Sequence, residues 1–274
     1  MKKSSFNKVI NNLILLPSTS IGGFFINMRT FGLIGFPLSH SFSKRFFSEK
    51  FEQEQIANCK YELFPIAHAD EIRDLIASNP LLCGLNVTIP HKVNVIPFLS
   101  EMDNAAKEIG AVNCIAIDQS GETPTLKGYN TDAYGFAESL KPLLEEQHQK
   151  ALIFGDGGAA KAVKYVLDQL RIPYLVVVRN PAPNAILYSA ITAEIMQEHK
   201  LLINTTPLGM LPNLVSYPVI PYQFVTPQHL AYDLVYNPEE TVFLAKAKEK
   251  GAKIKNGLEM LYLQAERSWY IWNT

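Results

Sequence analysis

Apolar residues fall along this chain in two alternating rhythms. Short β-rich runs occur at Phe31–Ile34, Tyr61–Phe64, Leu85–Thr88, Asn113–Ile117, Ala151–Phe154, Tyr174–Val178, Leu201–Asn204 and Leu230–Leu234. Rich in Val, Ile, Leu and Phe and bounded by turn residues, they predict strands. Between several of them the spacing becomes that of an amphipathic helix, as at Ala69–Ile76, Ala159–Leu170 and Thr241–Lys250. Strand–helix alternation predicts an α/β fold with mostly parallel sheet. Ala151–Phe154 and Leu175–Val178 are apolar throughout, as strands covered on both faces should be. Asp118–Pro124 reads as a hairpin-like turn. A helix expected over Thr131–Leu144 leads into the polar segment Glu145–Lys150, where the chain is expected to enter a second sheet. The last expected helix, Gly257–Trp272, is amphipathic and rich in aromatic residues.

Composition narrows the classes. A length of 274 residues suits one or two domains. The 25 Lys and Arg nearly balance 26 Asp and Glu, which argues against a nucleic-acid surface with its concentrated positive field. Apolar residues at 47% and charged residues at 19% are an ordinary globular mixture. Cys59, Cys83 and Cys114 are odd in number and lack C-x-x-C spacing, so neither a disulfide framework nor a zinc site is indicated; three reduced thiols in a cytoplasmic protein are expected. At the start, Lys2, Lys3 and Lys8 precede an uncharged stretch that weakly resembles a signal peptide. Asn11, Asn12, Pro17 and Ser18 make it too polar to span a bilayer, and no cleavage site follows. Met28 sits directly before the first good strand, so residues 1–27 are expected to be an upstream extension.

The sharpest local signal is Gly155-Asp-Gly-Gly-Ala-Ala160, directly after a strand and opening a helix. Gly155, Gly157 and Ala160 fit G-x-G-x-x-A, in which the glycines permit a tight turn and close approach of a pyrophosphate to backbone. Gly158 and Ala159 then present the free N–H groups of the helix start. A Gly-rich turn in a purely structural strand–helix unit is the blander reading. The next strand ends in Arg179 with no acid between Arg171 and Asn180, which favours the 2′-phosphate of NADP over the ribose hydroxyl of NAD. Asp156 is at odds with an anionic ligand and is expected to point away and cap the helix.

Four further segments are unusually polar: Gly35–Lys44 with Ser39, Ser41 and Ser43; Asn86–Lys92; Gly110–Asn113; and Gly128–Asp132. In open α/β sheets ligands gather beyond the carboxyl ends of strands. Each segment alone reads more readily as turn chemistry or capping than as a site.

Together with others these segments carry a resemblance. From about Met28 onward the chain resembles the shikimate dehydrogenase family, on SHSFS (Ser39–Ser43), NVTIPHK (Asn86–Lys92), GAVN (Gly110–Asn113), GYNTD (Gly128–Asp132), GDGGAA (Gly155–Ala160), NTTPLGM (Asn204–Met210), DLVYNP (Asp233–Pro238) and NGLEMLYLQA (Asn256–Ala265). The resemblance implies NADP-linked interconversion of 3-dehydroshikimate and shikimate in aromatic amino-acid biosynthesis. It implies Lys92 and Asp132 as the catalytic pair. Ser41, Ser43 and Thr88 would bind the substrate carboxylate with Tyr236 near it, and Asn86, Asn113 and Gln264 the ring hydroxyls. Thr205 and Gly257 would lie at the cofactor, Gly257 near its nicotinamide. The implied fold is a substrate-binding domain (28–130, completed by 257–274) beside a Rossmann-type NADP-binding domain (131–256), with the cleft between. No metal and no membrane partner is implied, and the chain is expected as a monomer or homodimer. His91 is set aside as the acid–base group, because neighbouring side chains diverge.

The chain departs from the family pattern at Lys44, where a Pro is common, at Asp156, where Ala is usual, and after Arg179, where a second basic residue is missing. A related quinate/shikimate dehydrogenase with relaxed NAD/NADP use, or a non-catalytic metabolite sensor, are the competing expectations. Arg179 speaks against the first. The intact Lys92 and Asp132 speak against the second.

Overall fold

The computed structural model describes residues 28–38 and 41–274. The expected upstream extension, residues 1–27, and Ser39 with His40 lie outside the described residues.

Two six-stranded sheets follow one another along the chain. The first is built from β1 (Arg29–Gly35), β2 (Cys59–Pro65), β3 (Leu82–Val87), β4 (Glu101–Met102), β5 (Cys114–Asp118) and β6 (Thr125–Tyr129). Its helices are α1 (Phe42–Gln53), α2 (Ile72–Ala77), α3 (His91–Asn94) and α4 (Asn104–Ile109). The strand order is β2-β1-β3-β5-β6-β4. The pairing is mostly parallel, with the exception at the expected hairpin-like turn. Residues 118–124 turn the chain straight back, so β5 runs antiparallel to both β6 and β3.

Helix α5 (Thr131–Leu140) leads to the second sheet, made of β7 (Ala151–Phe154), β8 (Tyr174–Val178), β9 (Ala185–Leu187), β10 (Leu201–Asn204), β11 (Leu230–Asp233) and β12 (Lys253–Lys255). Its helices are α6 (Gly158–Gln169), α7 (Ala193–Glu198) and α8 (Val242–Glu249). The order β12-β11-β10-β7-β8-β9, parallel at every pairing, is that of a doubly wound dinucleotide fold. Its central strands β7 and β10 are buried at every position, which explains the apolar run of β7 and of Leu201–Ile203, while the buried Asn204 at the end of β10 donates to Asp233 Oδ1 at 2.9 Å.

The last helix, α9 (Leu258–Ile271), returns to the first sheet. Trp272, just past its end, stacks on Phe31 with ring centroids 4.9 Å apart and donates Nε1–H to Ile115 O at 3.0 Å. A Cβ at Gly84 would run into the Trp272 indole, so the strand and the ring need this glycine. Helix α9 also crosses α5 closely. A Cβ at Gly135 would collide with Met260 O and stand 3.1 Å from Gln264 N. Helices α1, α4, α5, α7 and α8 are each capped by a side-chain oxygen, from Ser41, Asp103, Asn130, Thr192 and Thr241. Such caps contribute about 1 kcal/mol each.

Candidate active site

Main-chain hydrogen bonds knit the polar segments of the first sheet together at the carboxyl ends of β1, β3 and β6 and the amino end of the antiparallel β5. Thr88 N donates to Ile34 O at 2.9 Å, and Phe36 N to Ile89 O at 3.1 Å. Val87 N donates to Asn113 O, and Asn113 N to Tyr129 O. Val112 N donates to Lys92 O at 2.7 Å. The segments around Gly35, Asn86–Lys92, Gly110–Asn113 and Gly128–Asp132 therefore form one surface.

On that surface Lys92 Nζ donates to Asp132 Oδ2 at 2.6 Å across 40 residues of sequence. The side chains are 21% and 13% exposed, so the pair is half-sheltered yet open on one side. Lys92 stands on α3. Asp132 lies in the first turn of α5, where the helix dipole favours a carboxylate. Asn130 fixes that turn, accepting from Ala133 N at 3.0 Å and donating to Ala111 O at 2.9 Å. His91 is buried, its Nε2 2.8 Å from Ile66 O, so it faces the core while Lys92 faces outward.

Beneath the pair lies a buried polar network. Tyr61 donates its hydroxyl to Asn86 Oδ1 at 2.8 Å, and Asn86 Nδ2 donates to Ser268 Oγ at 2.9 Å. Thr131 N donates to Asn113 Oδ1 at 2.6 Å, and Asn113 Nδ2 to Thr131 Oγ1 at 3.0 Å. Gln264 Oε1 accepts from Asn113 Nδ2 at 3.5 Å. Asn86, Asn113 and Gln264, which the resemblance groups as a set, are thus brought together. Sequence reasoning misses Tyr61, Thr131 and Ser268. Ser268 follows Gln264 by one helical turn, and that spacing is the signal that could have found it. Burial holds the Tyr61 phenol well above its ordinary range, with the Ser43 hydroxyl pulling the other way.

Ser41 and Ser43 mark the start of α1, where Ser41 Oγ accepts from Lys44 N at 3.2 Å. Lys44 itself is held elsewhere, by Tyr61 O and by Glu62 Oε2 at 2.7 Å. Tyr236, on the loop after β11, packs edge-on to Phe42 at 6.0 Å, and Phe42 meets Tyr262 of α9 at 5.0 Å. This aromatic bridge carries Tyr236 from the second sheet to the serines of the first. Thr88 packs against Gly35, where a Cβ would strike its methyl.

The second sheet presents the glycine turn. Gly155 has φ +96°, and a Cβ there would stand 2.6 Å from Thr206 Cγ2. Thr205 Oγ1 donates to Phe154 O at 2.8 Å and braces the turn. Around Gly157 and Gly158 a Cβ would meet nothing within 4 Å, and no side chain caps α6. Ala159 is half-buried in the first turn of α6. Open backbone at an uncapped helix start fits a dinucleotide pyrophosphate. The expectation that Asp156 caps α6 is corrected: Gly157 holds the cap position, and the Asp156 carboxylate pairs with Lys164 instead. Lys164 lies two turns along the helix and draws the carboxylate toward itself.

Arg179 follows β8 and, with Tyr188, Ser189, Leu208 and Tyr217, lines a cavity of about 470 Å³. Burial pushes the Tyr188 hydroxyl up to about 12, and Arg179 opposes the shift. Gly257 begins α9 against the loop after β11, where any Cβ would collide with Leu234 O. Cys59 and Cys83 are half-buried and Cys114 is buried; all three are free thiols.

The two halves meet through α6, whose Lys161 Nζ donates to Gly110 O at 3.2 Å, two residues from the Val112–Lys92 contact. A dinucleotide-binding sheet that presents its glycine helix to an ammonium–carboxylate pair on a second lobe defines a dinucleotide-linked oxidoreductase. The family described as the shikimate dehydrogenase substrate binding domain matches residues 33–115. The chain is 36% identical over 263 residues to shikimate dehydrogenase (NADP(+)) of Desulforamulus reducens, covering 88% of each chain. It is 38% identical over 261 residues to the enzyme of that name from Carboxydothermus hydrogenoformans, covering 88% of this chain and 90% of the other. Among solved structures, it resembles shikimate 5-dehydrogenase from Thermus thermophilus in complex with NADP(H) and shikimate. The TM-score is 0.78 at 30% identity, over 89% of this chain and 93% of that one. The chain belongs to the shikimate dehydrogenase family.

Proposed function

We propose that this chain interconverts 3-dehydroshikimate and shikimate with NADP(H), serving aromatic amino-acid biosynthesis. The observation that carries this reading is the Lys92–Asp132 pair, held at 2.6 Å beside the segment that α6 contacts through Lys161. A bound reduced nicotinamide supplies the hydride. As the ketone is reduced, negative charge grows on its oxygen, and the Lys92 ammonium stabilises that charge and delivers the proton. Asp132 orients Lys92 and accepts a hydrogen bond from the neighbouring substrate hydroxyl. General acid catalysis of this kind is worth about 10²–10⁴ in rate.

Ser41, Ser43 and Thr88 bind the substrate carboxylate, with Tyr236 near it. Asn86, Asn113 and Gln264 present their amides to ring hydroxyls, held rigid by Tyr61, Thr131 and Ser268. Arg179 takes the 2′-phosphate, for which its planar guanidinium is suited. Gly155, Gly157, Gly158, Ala159 and Thr205 form the pyrophosphate turn, and Gly257 lies near the nicotinamide. We assign residues 28–130 and 257–274 to the substrate-binding domain and 131–256 to the NADP-binding domain. The working form is a cytoplasmic monomer or homodimer. Among the described residues no helix is long and apolar enough to cross a membrane.

Absorbance at the reduced-nicotinamide band tests the reading, with shikimate or quinate each offered NADP⁺ or NAD⁺. Shikimate with NADP⁺ is expected to give the highest kcat/KM. Preference for quinate with NAD⁺ would replace the assignment, and no turnover in any pairing would end it.

A further inference from the structure

The glycine turn carries a charge that a phosphate-binding turn has no use for. Asp156 stands between Gly155 and Gly157, immediately outside α6, and its side chain is 37% exposed. A free carboxylate there would sit beside the N–H groups that receive the pyrophosphate and would repel it. It would also tend to cap the helix and occupy those groups. It does neither, because Lys164, 26% exposed and on the same helix, pairs with it. Lys161, the other lysine on this part of α6, is bound to Gly110 O and leaves that pairing to Lys164.

We propose that Lys164 is a positioning residue for the dinucleotide: it holds the Asp156 carboxylate along α6 and cancels its charge, keeping the helix start open to phosphate. This rests on the NADP-binding reading above. Lys164 acts through Asp156 and does not itself touch the phosphates. Its influence falls on the pyrophosphate, which NADP and NAD share, so it weights both equally, unlike Arg179. It governs binding rather than chemistry, so KM for the dinucleotide moves and kcat does not.

The test is titration calorimetry of the full chain with NADP⁺ and with NAD⁺, no substrate present, together with steady-state kinetics. Lys164→Gln is expected to weaken both dinucleotides by the same factor, about fivefold, with kcat unchanged. Asp156→Asn combined with Lys164→Gln is expected to restore binding to that of the unmodified chain, since no carboxylate remains to be held. Unchanged binding in Lys164→Gln overturns the proposal. So does a loss that the double variant fails to restore, which would mean that the lysine touches phosphate or supports the helix. A loss confined to NADP⁺ overturns it as well. If the unmodified chain binds neither dinucleotide, the functional reading itself falls and this inference with it.

Discussion

The proposed function places turnover on the Lys92 ammonium and the Asp132 carboxylate, which pair at 2.6 Å. Lys92→Ala is expected to lower kcat at least about 10²-fold while the fold stays intact. Stopped-flow or steady-state assays check this, and an unchanged kcat removes Lys92 from the mechanism. Arg179→Ala is expected to raise KM for NADPH far more than for NADH, because only the former carries a 2′-phosphate; equal effects would refute that contact. Lys92 enters the sequence reading only through the family resemblance of its segment, and Arg179 through its place at the end of the second cofactor strand. Tyr61, Thr131 and Ser268 do not enter it. Their role is to satisfy Asn86 and Asn113 in the interior, and such partners come from strands and helices distant in the chain. Asp156 was misjudged for a related reason. Its neighbours suggested a cap, but the cation that claims it lies eight residues on, across two turns of helix.

Among the elements, the crossing of α5 and α9 links stability to chemistry. Gly135 lets the two helices approach, and Asp132 stands one turn before it. Gly135→Ala is expected to push the helices apart, costing about 1–3 kcal/mol by overpacking and lowering kcat by displacing Asp132. Thermal unfolding with parallel kinetics checks both effects, and a variant with unchanged Tm and kcat would show that the crossing has slack. Four strands of the second sheet, β7, β8, β10 and β11, were readable almost to the residue, since each is a predominantly apolar run bounded by polar or turn residues. The first sheet was harder. Phe42, Phe46, Phe47 and Phe51 have helical spacing and form α1, yet the serines among them read as a ligand loop. The short strands β4, β9 and β12 owe their existence to pairing partners rather than to their own two or three residues.

For the molecule as a whole, the foot of the second sheet sets the response to acid. His148, His199 and His229 lie just before β7, β10 and β11, all buried, and burial holds each imidazole below its ordinary value. The unfolded chain therefore takes up protons on them first. Their contribution to stability is full above about pH 6.5 and falls as pH drops below it. Asp233 works in the opposite sense. Burial raises its carboxyl to about 6, so its contribution is present in acid and is lost as pH rises through that value. Three imidazoles outweigh one carboxyl, and urea unfolding is expected to give a lower free energy at about pH 5.5 than at about pH 7.5. His148→Gln is expected to flatten that difference, and equal slopes in the two proteins would exclude the imidazole. The placement of α9 and Trp272 on the first sheet has an older bearing, at the ribosome. The lobe that is made first keeps Phe31 and Asn86 uncovered until Trp272 and Ser268 have been made, after the whole second sheet, so a nascent polypeptide halted after β12 has every strand of both sheets and a first lobe still lacking its covering helix.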